Sequence, residues 1–177
     1  MEEIKNRKWK TAHFSLTVIL MALLIQACGT VPLTGRRQLQ LVSDQEVLAL
    51  SSQQYQEFIR QAPIENGTRD AETVKRVGRR MATAVETFLK SNGYESELGK
   101  YDWEFNLVKD KNVNAFAMPG GKVAVFSGLL PVAQDEGGLA VVVGHEIAHA
   151  VAKHANERIS QQIALQYGGA IAGGLLG

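Results

Sequence analysis

Two histidines four residues apart, with a glutamate directly after the first, have the types and spacing for metal-assisted chemistry: His145-Glu146-Ile147-Ala148-His149. On an α-helix, residues i and i+4 project from one face about 6 Å apart along the axis, so both imidazoles can meet one ion. This is the HExxH pattern of zinc sites. Zinc takes neutral imidazole nitrogens at about 2.0–2.1 Å, and a catalytic site keeps one coordination position open for water. Glu146 is then placed to reach that water as general base, and the implied chemistry is hydrolysis of an amide bond. Val142, Val143, Gly144, Ile147, Ala148, Ala150 and Val151 around the motif are small or apolar, and no proline interrupts them. Two core histidines with an incidental Glu146 are the bland alternative, disfavoured because a buried carboxylate without a partner is costly.

A third ligand is harder to find. His154 lies five residues past His149, rotated by about 140° on a continuous helix, so it is expected to leave the ligand face as a structural residue or one standing behind a ligand. In the metzincin pattern a Gly and a third His follow the second ligand, but Ala152 and Ala155 hold those places. The remaining solution takes a Glu from a later helix. Glu157 would sit about 12 Å along the same helix from His149, out of reach of the same ion. From Arg158 to Gly177 there is no Asp, Glu, His or Cys. The expectation is that a third ligand lies upstream, or beyond Gly177 in a longer protein.

The elements that must carry this motif come after a leader. Residues 1–10 hold Lys5, Arg7, Lys8 and Lys10, and Phe14 to Ile25 is almost wholly apolar. A basic start, a short apolar middle and a small-residue exit are the layout of a secretory signal, shorter than the roughly 20 residues of a membrane span. The single cysteine, in Ile25-Gln26-Ala27-Cys28, can form no internal disulfide. The tetrad resembles the lipobox of bacterial lipoproteins, which implies a diacylglyceryl thioether on Cys28 and an acylated amino terminus. Several acyl chains anchor stably where one is marginal. Gly29, rather than Asp, after the cysteine resembles an outer-membrane address. The rivals are a buried thiol at Cys28 and an uncleaved signal anchor.

Residues 28–42, with Pro32, Gly35 and Arg36-Arg37, are expected to form an extended tether, and residues 43–177 the domain. At 177 residues the chain suits one domain. Its 45% hydrophobic and 21% charged composition excludes disordered, collagen-like and multi-span classes. The net charge is +1, and −1 without residues 1–27, so no nucleic-acid partner is expected.

Within the domain, Ser43-Asp44-Gln45-Glu46 is a capping box, and a helical stripe follows to Pro63. A second stripe, Val74, Val77, Met81, Val85, Phe88 and Leu89, runs from Asn66-Gly67-Thr68 to Asn92-Gly93. Trp103, Phe105 and Leu107 alternate as in a half-buried strand. Asn114–Met118 and Lys122–Ser127 bracket Pro119-Gly120-Gly121 as a hairpin, which either offers an edge strand to an extended substrate or simply covers the motif helix. A third helix is expected from Leu139 to about Tyr167. Gly169 and Gly173 near the end stand in G-x-x-x-G spacing, in a stretch too short to span a bilayer. The fold class is α+β, with helices around a small antiparallel sheet.

Together these motifs resemble the gluzincin metallopeptidases of the HtpX and Oma type, particularly their periplasmic bacterial lipoprotein members. The resemblance is carried by Pro32-Leu33-Thr34-Gly35-Arg36-Arg37-Gln38-Leu39, by Asn114 to Gly121, by Ser127-Gly128-Leu129-Leu130, and by His145 to His149 with Ala152-Lys153-His154 and Glu157-Arg158. It implies a zincin-like domain with one Zn2+ per chain, His145 and His149 as ligands and Glu146 as base. It also implies a third ligand in an E-x-x-x-D segment that this sequence lacks, and Gly138 departs from the acidic residue often found there. The implied function is endopeptidase action on unfolded or misassembled envelope proteins, as quality control at the periplasmic face of the outer membrane, with membrane attachment through Cys28. The alternative is a catalytically silent lipoprotein serving as chaperone or assembly partner. Oligomeric state is left open.

Overall fold

The computed structural model describes Ser15, residues 28–31 and residues 35–176, with side chains placed as far as Gln166. The leader at residues 1–27, Ser15 apart, and the Cys28 side chain lie outside the described residues. So do the side chains around Gly169 and Gly173.

Strands β1 (Cys28–Thr30) and β2 (Arg37–Leu39) pair antiparallel. Helix α1 (Asp44–Gln61) leads through β3 (Ile64–Glu65) to α2 (Arg69–Ser91) and the short α3 (Glu95–Leu98). Then come β4 (Glu104–Val108), β5 (Ala115–Met118), β6 (Lys122–Phe126), a 3₁₀ turn at Ser127–Leu129 and α4 (Leu130–Ala133). Helices α5 (Glu136–Val151) and α6 (His154–Leu176) close the described chain. Among the described residues no helix is long and apolar enough to cross a membrane.

The capping box forms as its residues demand. Ser43 Oγ accepts the Glu46 N–H at 3.2 Å, and Glu46 Oε2 accepts the Ser43 N–H at 3.1 Å. Thr68 starts α2 in the same way, its Oγ1 accepting the Ala71 N–H at 3.1 Å. Both predicted helices thus begin at the residues whose side chains satisfy the free amide groups of a first turn.

The larger sheet has the order β3-β4-β6-β5. It is mixed, which corrects the expected antiparallel sheet: β6 lies parallel to β4, with Phe105 opposite Val123 and Leu107 opposite Val125. The connection causes this. Residues 109–114 carry the chain past the neighbouring position to the outer strand β5, and the tight turn at Gly120 and Gly121 folds β6 back between β5 and β4. Both glycines have positive φ, +88° and +84°, which L-residues with a Cβ rarely adopt.

Alternation along the strands divides the core in two. Phe105, Leu107, Val123 and Val125 face α2 and α5, where they bury Val74, Val77, Leu139, Val143, Ile147 and Val151. Val108 and Ala124 face Tyr55 of α1, with Phe58, Phe116 and Phe126 packed around them. The sheet is therefore covered by α1 on one face and by α2 and α5 on the other. Leu139, Val143, Ile147 and Val151 recur every four residues, and each buried side chain contributes about 1.5–3 kcal/mol. That stripe pins α5 by the side opposite His145 and His149, which are exposed.

Close approach fixes the start of α5. Asp135 Oδ1 accepts the Gly138 N–H at 2.8 Å as N-cap, and a Cβ on Gly138 would lie 2.0 Å from the Ala133 carbonyl oxygen. An acidic side chain has no room at this position.

Candidate metal centre

Helix α5 presents His145 and His149 from its exposed side with Nε2 atoms 3.0 Å apart and ring planes at 88°. Two nitrogens at about 2.0–2.1 Å from a tetrahedral zinc stand about 3.3–3.4 Å apart, so the pair needs to open by only about 0.3–0.4 Å. Nitrogen donors facing each other at this separation fit zinc, and they are the residues that could hold it. Glu146 is half-buried on the same turn. Among the described residues no three His, Cys, Asp or Glu side chains gather where one ion could bind them all.

The helix expected to carry His154 departs from expectation, while His154 itself stands behind His149, one of the places foreseen for it. The predicted helix from Leu139 to Tyr167 is two helices, because α5 ends at Val151 and the chain turns at Ala152 and Lys153 before α6 begins. Lys153 has φ +56°, a left-handed conformation that costs a residue with a Cβ roughly 1–2 kcal/mol. The turn cancels the rotation that a continuous helix would impose and brings His154 Nδ1 to 2.6 Å from His149 Nδ1. Burial, the neighbouring His149 and the Arg36 guanidinium hold His154 below the usual imidazole range, with Glu157 opposing them. No local signal announces this break, since Val151-Ala152-Lys153-His154 contains neither Gly nor Pro.

What holds Lys153 comes from far along the chain. Its Nζ lies 2.6 Å from Asp44 Oδ2 at the start of α1 and 3.3 Å from Glu97 Oε2 on α3. Lys100 Nζ bridges the same carboxylates at 2.8 and 2.7 Å, and Asn156 Nδ2 donates to Asp44 Oδ1 at 3.1 Å. Burial acts to raise the Asp44 carboxyl pKa, but the hydrogen bonds and charges of Lys100 and Lys153 hold it below the ordinary value.

The stretch expected as a tether also reaches this region. Arg36 pairs with Glu157, Gln38 Nε2 donates to the Lys153 carbonyl at 3.3 Å, and Ser160 Oγ accepts the Leu41 N–H at 2.9 Å. Glu157 is thus directed at Arg36, and β2 packs on the start of α6. Cys28 has its backbone in β1.

Comparison with known proteins agrees with the motif. The chain is 48% identical over 65 residues to the mitochondrial metalloendopeptidase OMA1 of Schizosaccharomyces pombe, covering 37% of this chain and 19% of the relative. It is 28% identical over 162 residues to the mitochondrial metalloendopeptidase OMA1 of Bos taurus, covering 90% of this chain and 30% of the relative. It is 30% identical over 139 residues to the metalloprotease LoiP of Escherichia coli, covering 77% of this chain and 50% of the relative. The chain thus spans half or less of the length of each of these relatives. The model of peptidase family M48 matches residues 68–176, which is more than half of the chain and includes α5 with both histidines, and the chain belongs to that family.

Proposed function

We propose that this chain carries the zinc-binding helix and the general base of a metalloendopeptidase. The observation that supports this most directly is the pair of Nε2 atoms at 3.0 Å on the exposed side of α5, with Glu146 on the same turn. His145 and His149 would supply two of the ligands of one Zn2+ per chain, which would provide Lewis acidity toward the scissile carbonyl and the attacking water. Glu146 takes the proton of the attacking water and returns it to the leaving amine. The core stripe of α5 keeps the ligands and the base in one frame, so little reorganisation is needed when substrate arrives. Strand β5 is the outer strand of the sheet and packs on α5, which supports binding of an extended peptide along its edge by backbone hydrogen bonds.

The leader pattern and Cys28 support a lipid anchor on Cys28 and a place on the periplasmic face of the outer membrane. Substrates are then unfolded or misassembled envelope proteins, and the role is quality control. The test is digestion of an unfolded protein substrate before and after chelation. Cleavage that stops on chelation and returns with stoichiometric zinc supports the proposal. Cleavage indifferent to chelation contradicts it.

A further inference from the structure

We infer that His154 is the positioning residue of the metal centre, delivered to His149 by a clamp that Asp44, Glu97 and Gln38 close on Lys153. This rests on the zinc reading above.

The left-handed position that ends an α-helix ordinarily belongs to glycine. Here a lysine occupies it, and strained backbone of this kind persists only where its surroundings hold it. Lys153 is held at both ends. Its ammonium lies between Asp44 and Glu97 at 2.6 and 3.3 Å, with the side chain only 15% exposed. Its carbonyl accepts from Gln38 Nε2 at 3.3 Å and from the Glu157 N–H at 3.1 Å, the latter starting α6. The ammonium is therefore part of what sets the turn, and the turn is what carries His154 back beside His149.

The contact itself has a defined sense. If His149 binds metal through Nε2, that nitrogen carries the lone pair and the ring proton sits on Nδ1. The Nδ1–H then donates to His154 Nδ1, 2.6 Å away, which fixes both the tautomer and the rotation of the His149 ring. His154 touches neither metal nor substrate. Its action passes through His149.

Two measurements on the full chain test this: zinc affinity by competition with a chromophoric chelator, and imidazole ¹⁵N shifts of His149 in the metal-free protein. His154→Ala is expected to weaken zinc binding about 10–100-fold and to mix the His149 tautomers, while circular dichroism stays that of wild type. His154→Asn, whose amide oxygen can accept from Nδ1, is expected to recover much of both. Lys153→Met, which removes the ammonium contacts to Asp44 and Glu97 and keeps the His154 imidazole, is expected to weaken zinc in the same direction by freeing the turn. A folded His154→Ala protein with wild-type zinc affinity and an unchanged His149 tautomer overturns the inference alone. A wild-type chain that takes up no zinc overturns the metal reading beneath it.

Discussion

His145 and His149 face each other Nε2 to Nε2 at 3.0 Å, while Val143 and Ile147, which alternate with them along α5, are buried in the core beneath. The two imidazoles are thus exposed on a helix whose position is decided by apolar packing on its other side. Replacing either imidazole should remove metal without unfolding the domain. His149→Ala is expected to lower zinc affinity by more than about 100-fold, since one of the two imidazole donors on α5 is lost, with unchanged circular dichroism. Metal analysis after gel filtration, together with chelator competition, checks it.

Gly138 tolerates no side chain. A Cβ there lies 2.0 Å from the Ala133 carbonyl oxygen, which is backbone and cannot swing away. Gly138→Ala should force α4 and α5 apart and cost about 1–3 kcal/mol. Urea unfolding should report a lower midpoint with an unchanged slope.

The α1 face of the sheet is pinned through a phenol. Tyr55, 1% exposed, donates its hydroxyl to the Val123 carbonyl at 2.9 Å and accepts from Asn106 Nδ2 at 3.1 Å. Burial, with the Glu104 charge adding to it and the Asn106 hydrogen bond opposing, pushes its pKa up to about 12. A phenol raised in the folded state stays protonated where the unfolded chain has already released its proton, so stability falls as pH rises from about 10 toward 12. Tyr55→Phe should cost about 1–2 kcal/mol at neutral pH and flatten that alkaline decline. Denaturation series at pH 8 and pH 11 compare the two proteins.

The acid side is governed in part by Asp44. Its carboxyl is held below the ordinary value by Lys100 and Lys153 against the opposing effect of burial. The stability it contributes is present above about pH 4 and is lost as pH falls through its folded value. Asp44→Asn should be less stable than wild type at pH 7 by about 1–2 kcal/mol, less in high salt, and the two should converge as pH falls below the folded value of the Asp44 carboxyl. Thermal melts across that range test the convergence.

Where local chemistry decides structure, the sequence can be followed residue by residue. Ser43 with Glu46 and Thr68 begin helices, and Gly120 with Gly121 make a turn, because each satisfies its own neighbourhood. The alternation of Phe105 and Leu107 places them on one face for the same reason. The parallel pairing of β4 with β6 is different, since it depends on how a loop crosses rather than on any residue in the strands. The break at Lys153 is less legible still. It is stabilised by Asp44, 109 positions earlier, so no window around His154 contains its cause. The HExxH residues were legible by type and spacing, and so was a place for His154 behind a ligand, but the turn that takes it there was not, because its cause lies in that distant clamp.

The most direct test of the account replaces one oxygen. Glu146→Gln keeps the shape of the side chain and removes the base, so zinc stoichiometry should stay at about one per chain while cleavage of an unfolded substrate falls by about 100-fold or more. Cleavage at the wild-type rate by zinc-loaded Glu146→Gln protein would contradict the mechanism.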